Sequence, residues 1–186
     1  MSRMPYPDVS TLPELTQKML AGSPLNIVRM GAHASPAIFQ ATGQMSYACV
    51  DPENIPPRWR EAAILRVGWL SHSEYELHHH RSLARAAGLT DEEVAALEER
   101  AYSRLDPVLA AIAAFTDETV LLVSASDETL ERLRAQISEQ MVINLVLCIG
   151  LYMSMARLIG VGRLEIDDIP LTALATGVDK PGSSGS

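Results

Sequence analysis

The run from Met141 to Ala156 (MVINLVLCIGLYMSMA) carries no formal charge, and any fold of this chain must find cover for it. It falls a little short of the ~18–20 apolar residues that a bilayer core demands, and Asn144 and Ser154 interrupt it. Ser138 stands before it as a helix cap, and Arg157 and Gly160 close it. A helix that is apolar on every side belongs inside a bundle or at a subunit interface. A membrane span is not the expectation.

The remaining segments follow the same periodicity. β-branched alternation is nearly absent, and Ala, Leu, Glu and Arg fill the periodic stretches. An arm rich in Pro and Gly opens the chain, with a short helix around Glu14 to Leu20. Ser35-Pro36 starts a helix to about Ala48, with a cap followed by Pro at the first helical position. Pro56-Pro57 opens Arg58 to about Trp69, and after a break at Ser71-His72 a helix runs from Ser73 to Ala87, where Gly88 is the stop. Thr90-Asp91-Glu92-Glu93 is a capping box for Glu92 to about Ala101. Further helices are expected from Asp106-Pro107 to Val123, from Ser126 or Asp127 to Ile137, and from Ser138 to Ile159. The pattern predicts an all-α helical bundle of about seven helices. Its divisions are an N-terminal arm over 1–34, a helical domain over 35–175 and a disordered, Gly/Ser-rich tail over 176–186.

Charge narrows the partners. With 15 Lys and Arg against 23 Asp and Glu, the formal charge is −8. That balance disfavours nucleic acid and anionic membrane surfaces, which need a concentrated positive face. A small anionic substrate stays open, since one buried Arg outweighs a distant negative surface. Cys49 and Cys148 lie far apart in sequence with no C-x-x-C pair, so both are expected as buried small hydrophobes in a reducing cytoplasm. The opening MSRMPYPDVS has no apolar stretch of signal-peptide length.

The chemistry concentrates in the middle. Four of the five histidines, His72, His78, His79 and His80, fall within nine residues. Ser73, Glu76 and His80 stand at i, i+3 and i+7 and share one helix face, beside Leu77, Ala84 and Ala87. A carboxylate and an imidazole one turn apart on a half-buried face suit general acid/base catalysis near neutrality. Glu61 lies in the preceding helix among Ala62, Ala63, Ile64 and Leu65, and antiparallel packing of the two helices brings it toward Glu76 and His80. Bland readings stand beside these. Glu61 near a helix N-terminus complements the dipole. Glu76 with His80 is equally a surface ion pair worth under about 1 kcal/mol. His72 and His78 read as solvated, while His79, one position off the face, is open. A metal is a further alternative through Glu76-x-x-His79 or through His72, Glu76 and His80, with a ligand from elsewhere such as His33. No second Glu-x-x-His supports it.

The run Arg60-Glu61-Ala62-Ala63-Ile64-Leu65-Arg66-Val67-Gly68-Trp69-Leu70, then Ser73 to His80, then Ala84 to Glu93, resembles the carboxymuconolactone decarboxylase family, which includes the alkyl hydroperoxidase D proteins. The likeness continues into Phe115-Thr116-Asp117-Glu118 and the helix after Ser138, covering most of residues 35–165. The peroxidase branch carries C-x-x-C-x-x-x-H with a Glu twelve positions before the first Cys. Here those positions read Glu61, Ser73, Glu76 and His80. A serine hydroxyl cannot cycle through sulfenate and disulfide, so a thiol peroxidase is disfavoured at this motif.

The resemblance to the decarboxylase branch implies a lyase that removes carbon dioxide from a small lactone or carboxylic acid of aromatic catabolism, with no metal and no organic cofactor. It implies Glu61, Glu76 and His80 as catalytic residues, with His80 the proton donor and Glu76 orienting it. Ser73, Tyr75 and Arg66 are candidate substrate-binding residues, with Arg81 an alternative cation. Tyr75 reads equally as core and Arg66 as a structural pair. Family members self-associate through their apolar helices as trimers or hexamers. The other readings are a redox protein of the alkyl hydroperoxidase D type and a non-catalytic scaffold.

Overall fold

The computed structural model describes residues 2–23 and 25–167 and is all-helical over them. The element order is a 3-10 turn at Val9–Thr11, α1 (Glu14–Ala21), α2 (Asn26–Gly31), α3 (Pro36–Val50), α4 (Pro57–Leu70) and α5 (Glu74–Ala86). It continues with α6 (Asp91–Glu98), a 3-10 turn at Tyr102–Arg104, α7 (Pro107–Leu122), α8 (Asp127–Arg134) and α9 (Glu139–Gly162). The tail expected to be disordered, 176–186, lies outside the described residues.

Helix α4 is the hub. Every residue from Arg60 to Gly68 is buried, because α5, α6, α7 and α9 surround it. One core lies between α3, α4, α7, α8 and α9 and contains Ile64, Ile112, Phe115, Leu145 and Ile149. A second lies between α4, α5, α6 and α7 around Leu65, Leu77, Leu97 and Leu109. Helix α9 is long and apolar enough to cross a membrane by length and composition. In this fold it packs on α2, α3, α4, α7 and α8.

Local chemistry sets the boundaries. The Thr90–Glu93 capping box is formed in both directions, and Asp106, Ser126 and Ser138 each accept backbone N–H bonds at the start of their helices. Gly88 ends α5 at φ 91°, in the left-handed region where a Cβ is disfavoured. His72 takes φ 53° in the break between α4 and α5, a conformation uncommon for a side-chain-bearing residue. Two helices stop short of the sequence expectation. The one expected to reach Ala101 ends at Glu98, where Arg100 turns left-handed at φ 58°. The one expected to reach Ile137 ends at Arg134.

Helices α4 and α5 approach so closely that a Cβ at Gly68 would stand 2.8 Å from Leu77 Cδ2. Arg58 fastens the start of α4 to the far end of α5, donating to the Gly88 carbonyl at 2.6 Å and to the Glu93 carboxylate. The arm is bound to the body. Asp167, after α9, accepts from the Asn26 N–H at 2.8 Å, from the Tyr75 hydroxyl and from His79 Nε2 at 3.2 Å. Tyr75 in turn accepts from the Ile27 N–H at 3.3 Å, and Met30 of α2 packs with Tyr75, Ile159 and Leu164.

Candidate functional site

The antiparallel pairing of α4 and α5 delivers Glu61 to His80. Glu61 stands on the second turn of α4, His80 in the middle of α5, and His80 Nδ1 donates to Glu61 Oε2 at 2.7 Å. Glu76, one turn before His80 on α5, places Oε2 3.4 Å from His80 Nε2. The imidazole is therefore bracketed by two carboxyl groups, one at each ring nitrogen. Glu61 is 1% exposed, and Glu76 and His80 are 5% exposed, so this is no surface ion pair. The closer partner is Glu61 rather than Glu76. The group that fixes the ring comes from across the helix pair.

Burial and charge divide the protons. Burial alone would raise the Glu61 carboxyl, but His80 and then Arg60 outweigh it and hold it below its usual range. Burial likewise opposes a charged His80, yet Glu61 and then Glu76 raise its proton affinity above that of a free imidazole. Glu76 goes the other way: burial pushes it up, with Glu61 adding to the push and His80 offsetting part of it. The favoured state is a Glu61 carboxylate, a His80 imidazolium and a Glu76 inclined to keep its own proton.

Two neighbours escaped the sequence reading. Arg60 Nε donates to Glu61 Oε1 at 2.8 Å and Arg60 Nη1 to the Val50 carbonyl at 2.8 Å, which seats Glu61 from the side away from His80. Its place next to Glu61 in sequence was the available signal. Tyr152 of α9 sets its ring 5.1 Å from that of His80, edge to face at 88°. Burial, followed by the charges of Glu61, Cys148 and Glu76, pushes its phenol well above the usual range, so it stays a donor.

Ser73 precedes the first residue of α5, is 5% exposed, and its hydroxyl has no hydrogen-bond partner. It lies on the face that carries Glu76 and His80. The other two proposed substrate contacts are committed elsewhere. Arg66 donates to Asp117 Oδ1 at 2.8 Å and to the Leu97 carbonyl at 2.7 Å, inside the second core. Tyr75 is bound to Asp167 and Ile27. The sequence leaves both open between substrate contact and structure, and the structure engages both in structural bonds. Arg81 pairs with Glu98 at 3.6 Å. His72 and His78 are exposed, whereas His79 is buried against Asp167. His33 is exposed and bound to the Pro5 carbonyl, and among the described residues no group of three His, Cys, Asp or Glu is arranged around a metal position.

Cys49 and Cys148, distant in sequence, lie in the same first core. Both are free thiols. A cleft of about 210 Å³ between α3 and α9 has Cys49 in its wall, with Met45, Ile55, Asn144 and Leu147.

Residues 36–118 match the family model named carboxymuconolactone decarboxylase family. No curated protein matches the chain. Among solved structures, an alkylhydroperoxidase AhpD core protein from Ralstonia eutropha, described as an uncharacterized peroxidase-related protein, superimposes with a TM-score of 0.74. It is 15% identical, over 90% of this chain and 93% of that one. The debrominase Bmp8 in complex with 2,3,4-tribromopyrrole gives a TM-score of 0.72 at 18% identity, over 95% of this chain and 99% of that one. A protein of unknown function from Agrobacterium tumefaciens gives 0.66 at 19% identity, over 73% and 94%. At these identities the likeness shows the fold.

Proposed function

We propose that the protein, whose residues 36–118 match the carboxymuconolactone decarboxylase family model, is a cofactor-independent lyase of the decarboxylase type. Its substrate would be a small lactone or carboxylic acid of aromatic catabolism. The observation that carries this reading is the buried imidazole of His80, held at 2.7 Å by Glu61 on one nitrogen and facing Glu76 at 3.4 Å on the other.

The chemistry asks for two things. Loss of carbon dioxide from a carboxylate leaves an electron pair that spreads onto the lactone carbonyl as an enolate. A donor must hold the enolate oxygen, and an acid must deliver a proton to carbon. His80 Nε2–H is the proton donor. Glu61 fixes the ring and stabilises the imidazolium before transfer. Glu76, which holds its proton more tightly than a free carboxyl, re-supplies Nε2 afterwards, and solvent restores Glu76. One proton is consumed per carbon dioxide released. The unpartnered Ser73 hydroxyl supports a role as the enolate-oxygen donor, and the Tyr152 ring lies against His80.

Self-association belongs to the same proposal. Helix α9 leaves Ile143 and Leu147 57% and 52% exposed, a row that a second copy would cover. Trimers or hexamers in the cytoplasm are the form we assign.

The test is carbon dioxide release from γ-lactone acids in deuterated water, with deuterium located in the product by mass spectrometry. Wild type should release carbon dioxide and place one deuterium in the product, on the carbon skeleton that carried the carboxylate. His80→Gln should do neither while keeping its helical circular dichroism. A His80→Gln enzyme as active as wild type would remove the proposal.

A further inference from the structure

Helix α5 is gripped on two sides, one residue out of step. Glu76 and His80, spaced i and i+4, meet each other at 3.4 Å, and His80 reaches Glu61 of α4. Tyr75 and His79 repeat that spacing one position earlier, with their rings 4.8 Å apart. Both of these bond to a single carboxylate, that of Asp167 beyond α9. Successive residues stand about 100° apart around a helix, so the two pairs look out from adjacent sides of α5. All four side chains are buried. Tyr75 and His79 have no part in the proton transfers assigned to His80 and Glu76.

A polar grip is a costly way to cover a helix. Asp167 is only 9% exposed, and His79 Nδ1 is buried with no partner. Apolar side chains would seal the same surface without either cost, but they tolerate sliding, whereas a buried hydrogen-bonded network specifies one arrangement. The carboxylate is itself fixed from a second element. Oδ2 takes the Tyr75 hydroxyl and His79 Nε2–H, while Oδ1 takes the Asn26 N–H of the arm at 2.8 Å. The Tyr75 oxygen also accepts from the Ile27 N–H. Burial, the largest influence on His79, holds its proton affinity below that of a free imidazole, so the neutral ring commits its one N–H to Asp167. The close approach of Gly68 to Leu77 sets how near α5 lies to α4. What the Asp167 grip adds is the rotation of α5 about its own axis. Acid/base groups need their geometry held within about 0.5 Å and 10–20°, and His80 must satisfy Glu61 and Glu76 at once.

We propose that Asp167 is a positioning residue for the acid/base group: through Tyr75 and His79 it fixes the rotation of α5, and with it the aim of His80 at Glu61 and Glu76. The arm takes part because the Asn26 N–H seats the carboxylate. Asp167 and Asn26 both lie outside the segment 36–118 that matches the family model, so the grip is supplied by the flanks of the chain rather than by its matched centre. Loosening either flank alters the site without removing any group that would meet a substrate. The effect on turnover rests on the proposed lyase function, whereas the aim of the imidazole is a property of the folded chain and is measured without substrate.

The test uses the full-length protein with nitrogen-15 in its histidines, studied by proton–nitrogen NMR well below the melting temperature. The His80 Nδ1 proton, held against Glu61 at 2.7 Å, should give a slowly exchanging low-field resonance, assigned by its absence in His80→Gln. Asp167→Ala should broaden or abolish that resonance while the helical circular dichroism persists. It should also lower kcat about 10²-fold, the scale of a 1 Å misplacement, with a smaller change in KM. Tyr75→Phe, which keeps the ring and removes one donor, should shift the resonance in the same direction by less. Should Asp167→Ala fail to fold, Asp167→Asn carries the test with the same readouts, since its amide NH2 turns a donor toward donors. An unchanged His80 resonance in a folded Asp167 variant overturns the proposal, whatever the loss of stability. A resonance lost in the variant, from a protein whose wild type releases no carbon dioxide, sustains the positioning role and removes the lyase function alone.

Discussion

Glu61 and Arg66 leave the same helix about a turn and a half apart, each 1% exposed, and the two charge clusters they found are of opposite kinds. Around Arg66 the charged groups are answered. Asp117 accepts from Arg66 at 2.8 Å, from the Tyr102 hydroxyl at 2.6 Å and pairs with Arg100 at 2.9 Å, while the Leu97 carbonyl takes a further guanidinium N–H. Around Glu61, Arg60 anchors one carboxylate oxygen, but His80 and Glu76 can exchange protons, and the Ser73 hydroxyl on the same face of α5 is left without a partner. A guanidinium bound on all sides rigidifies a core. An imidazole between two carboxyl groups stores a proton that a ligand can take.

The contrast is broken or sharpened by substitution. The largest effect is expected at His80. His80→Gln should lower turnover by ~10²–10⁴-fold, the usual yield of a positioned acid, with the helical circular dichroism kept. Asp117→Ala should do the reverse, leaving Arg66 buried without its carboxylate. A loss of roughly 3–5 kcal/mol in urea unfolding is expected, with activity per folded molecule retained. If Asp117→Ala impaired turnover while His80→Gln only unfolded the chain, the assignment of the two clusters would be exchanged.

Gly68→Ala should cost about 1–3 kcal/mol, because its Cβ meets Leu77 at 2.8 Å. By spreading α4 from α5, it should also weaken turnover more than its stability loss explains. A melting curve and a rate on the same sample separate the two.

The smallest effect is the pH profile. His80 is raised above its ordinary 6.5, so the stability it adds is fully present below that value and is lost as pH rises through the raised one. Glu61 is lowered below its ordinary 4.5, so its contribution is present above that value and is lost as pH falls through the lowered one. Glu76 is raised above its ordinary 4.5, so its own contribution is present below that value and is lost as pH rises through the raised one, in wild type and variant alike. The stability gap between wild type and His80→Gln should therefore be widest between 4.5 and 6.5 and close on either side, as read by urea midpoints across pH. A flat gap would place the imidazole outside the charged pair.

Much of this was legible in the residues because it is local. Thr90 with Glu93, Ser126, Ser138 and Gly88 mark helix ends through bonds that close within a few residues, and the i, i+4 spacing puts Glu76 beside His80. Glu61 was within reach because two helices joined by a short break pack antiparallel. What stayed hidden depends on residues that meet only after folding. Asp117 finds Arg66 across 51 positions and Asp167 finds His79 across 88, and no spacing rule announces either. That Cys49 and Cys148 share one core has the same origin: without a C-x-x-C spacing, each reads as a lone buried thiol. Helix α2 was missed because six residues with no side-chain cap have little intrinsic helical signal; it is held by Met30 packing and by Asp167.

Asp167 gathers three donors, from the Asn26 backbone, the Tyr75 ring and the His79 imidazole. The opening segment of the polypeptide therefore has its seat completed by a residue synthesised some 140 positions later. Until that carboxylate emerges from the ribosome, the Tyr75 and His79 donors have no acceptor there, and the leading helices have no anchor at this corner. Closure of the front of the molecule is in this sense a late event, tied to the arrival of its rear.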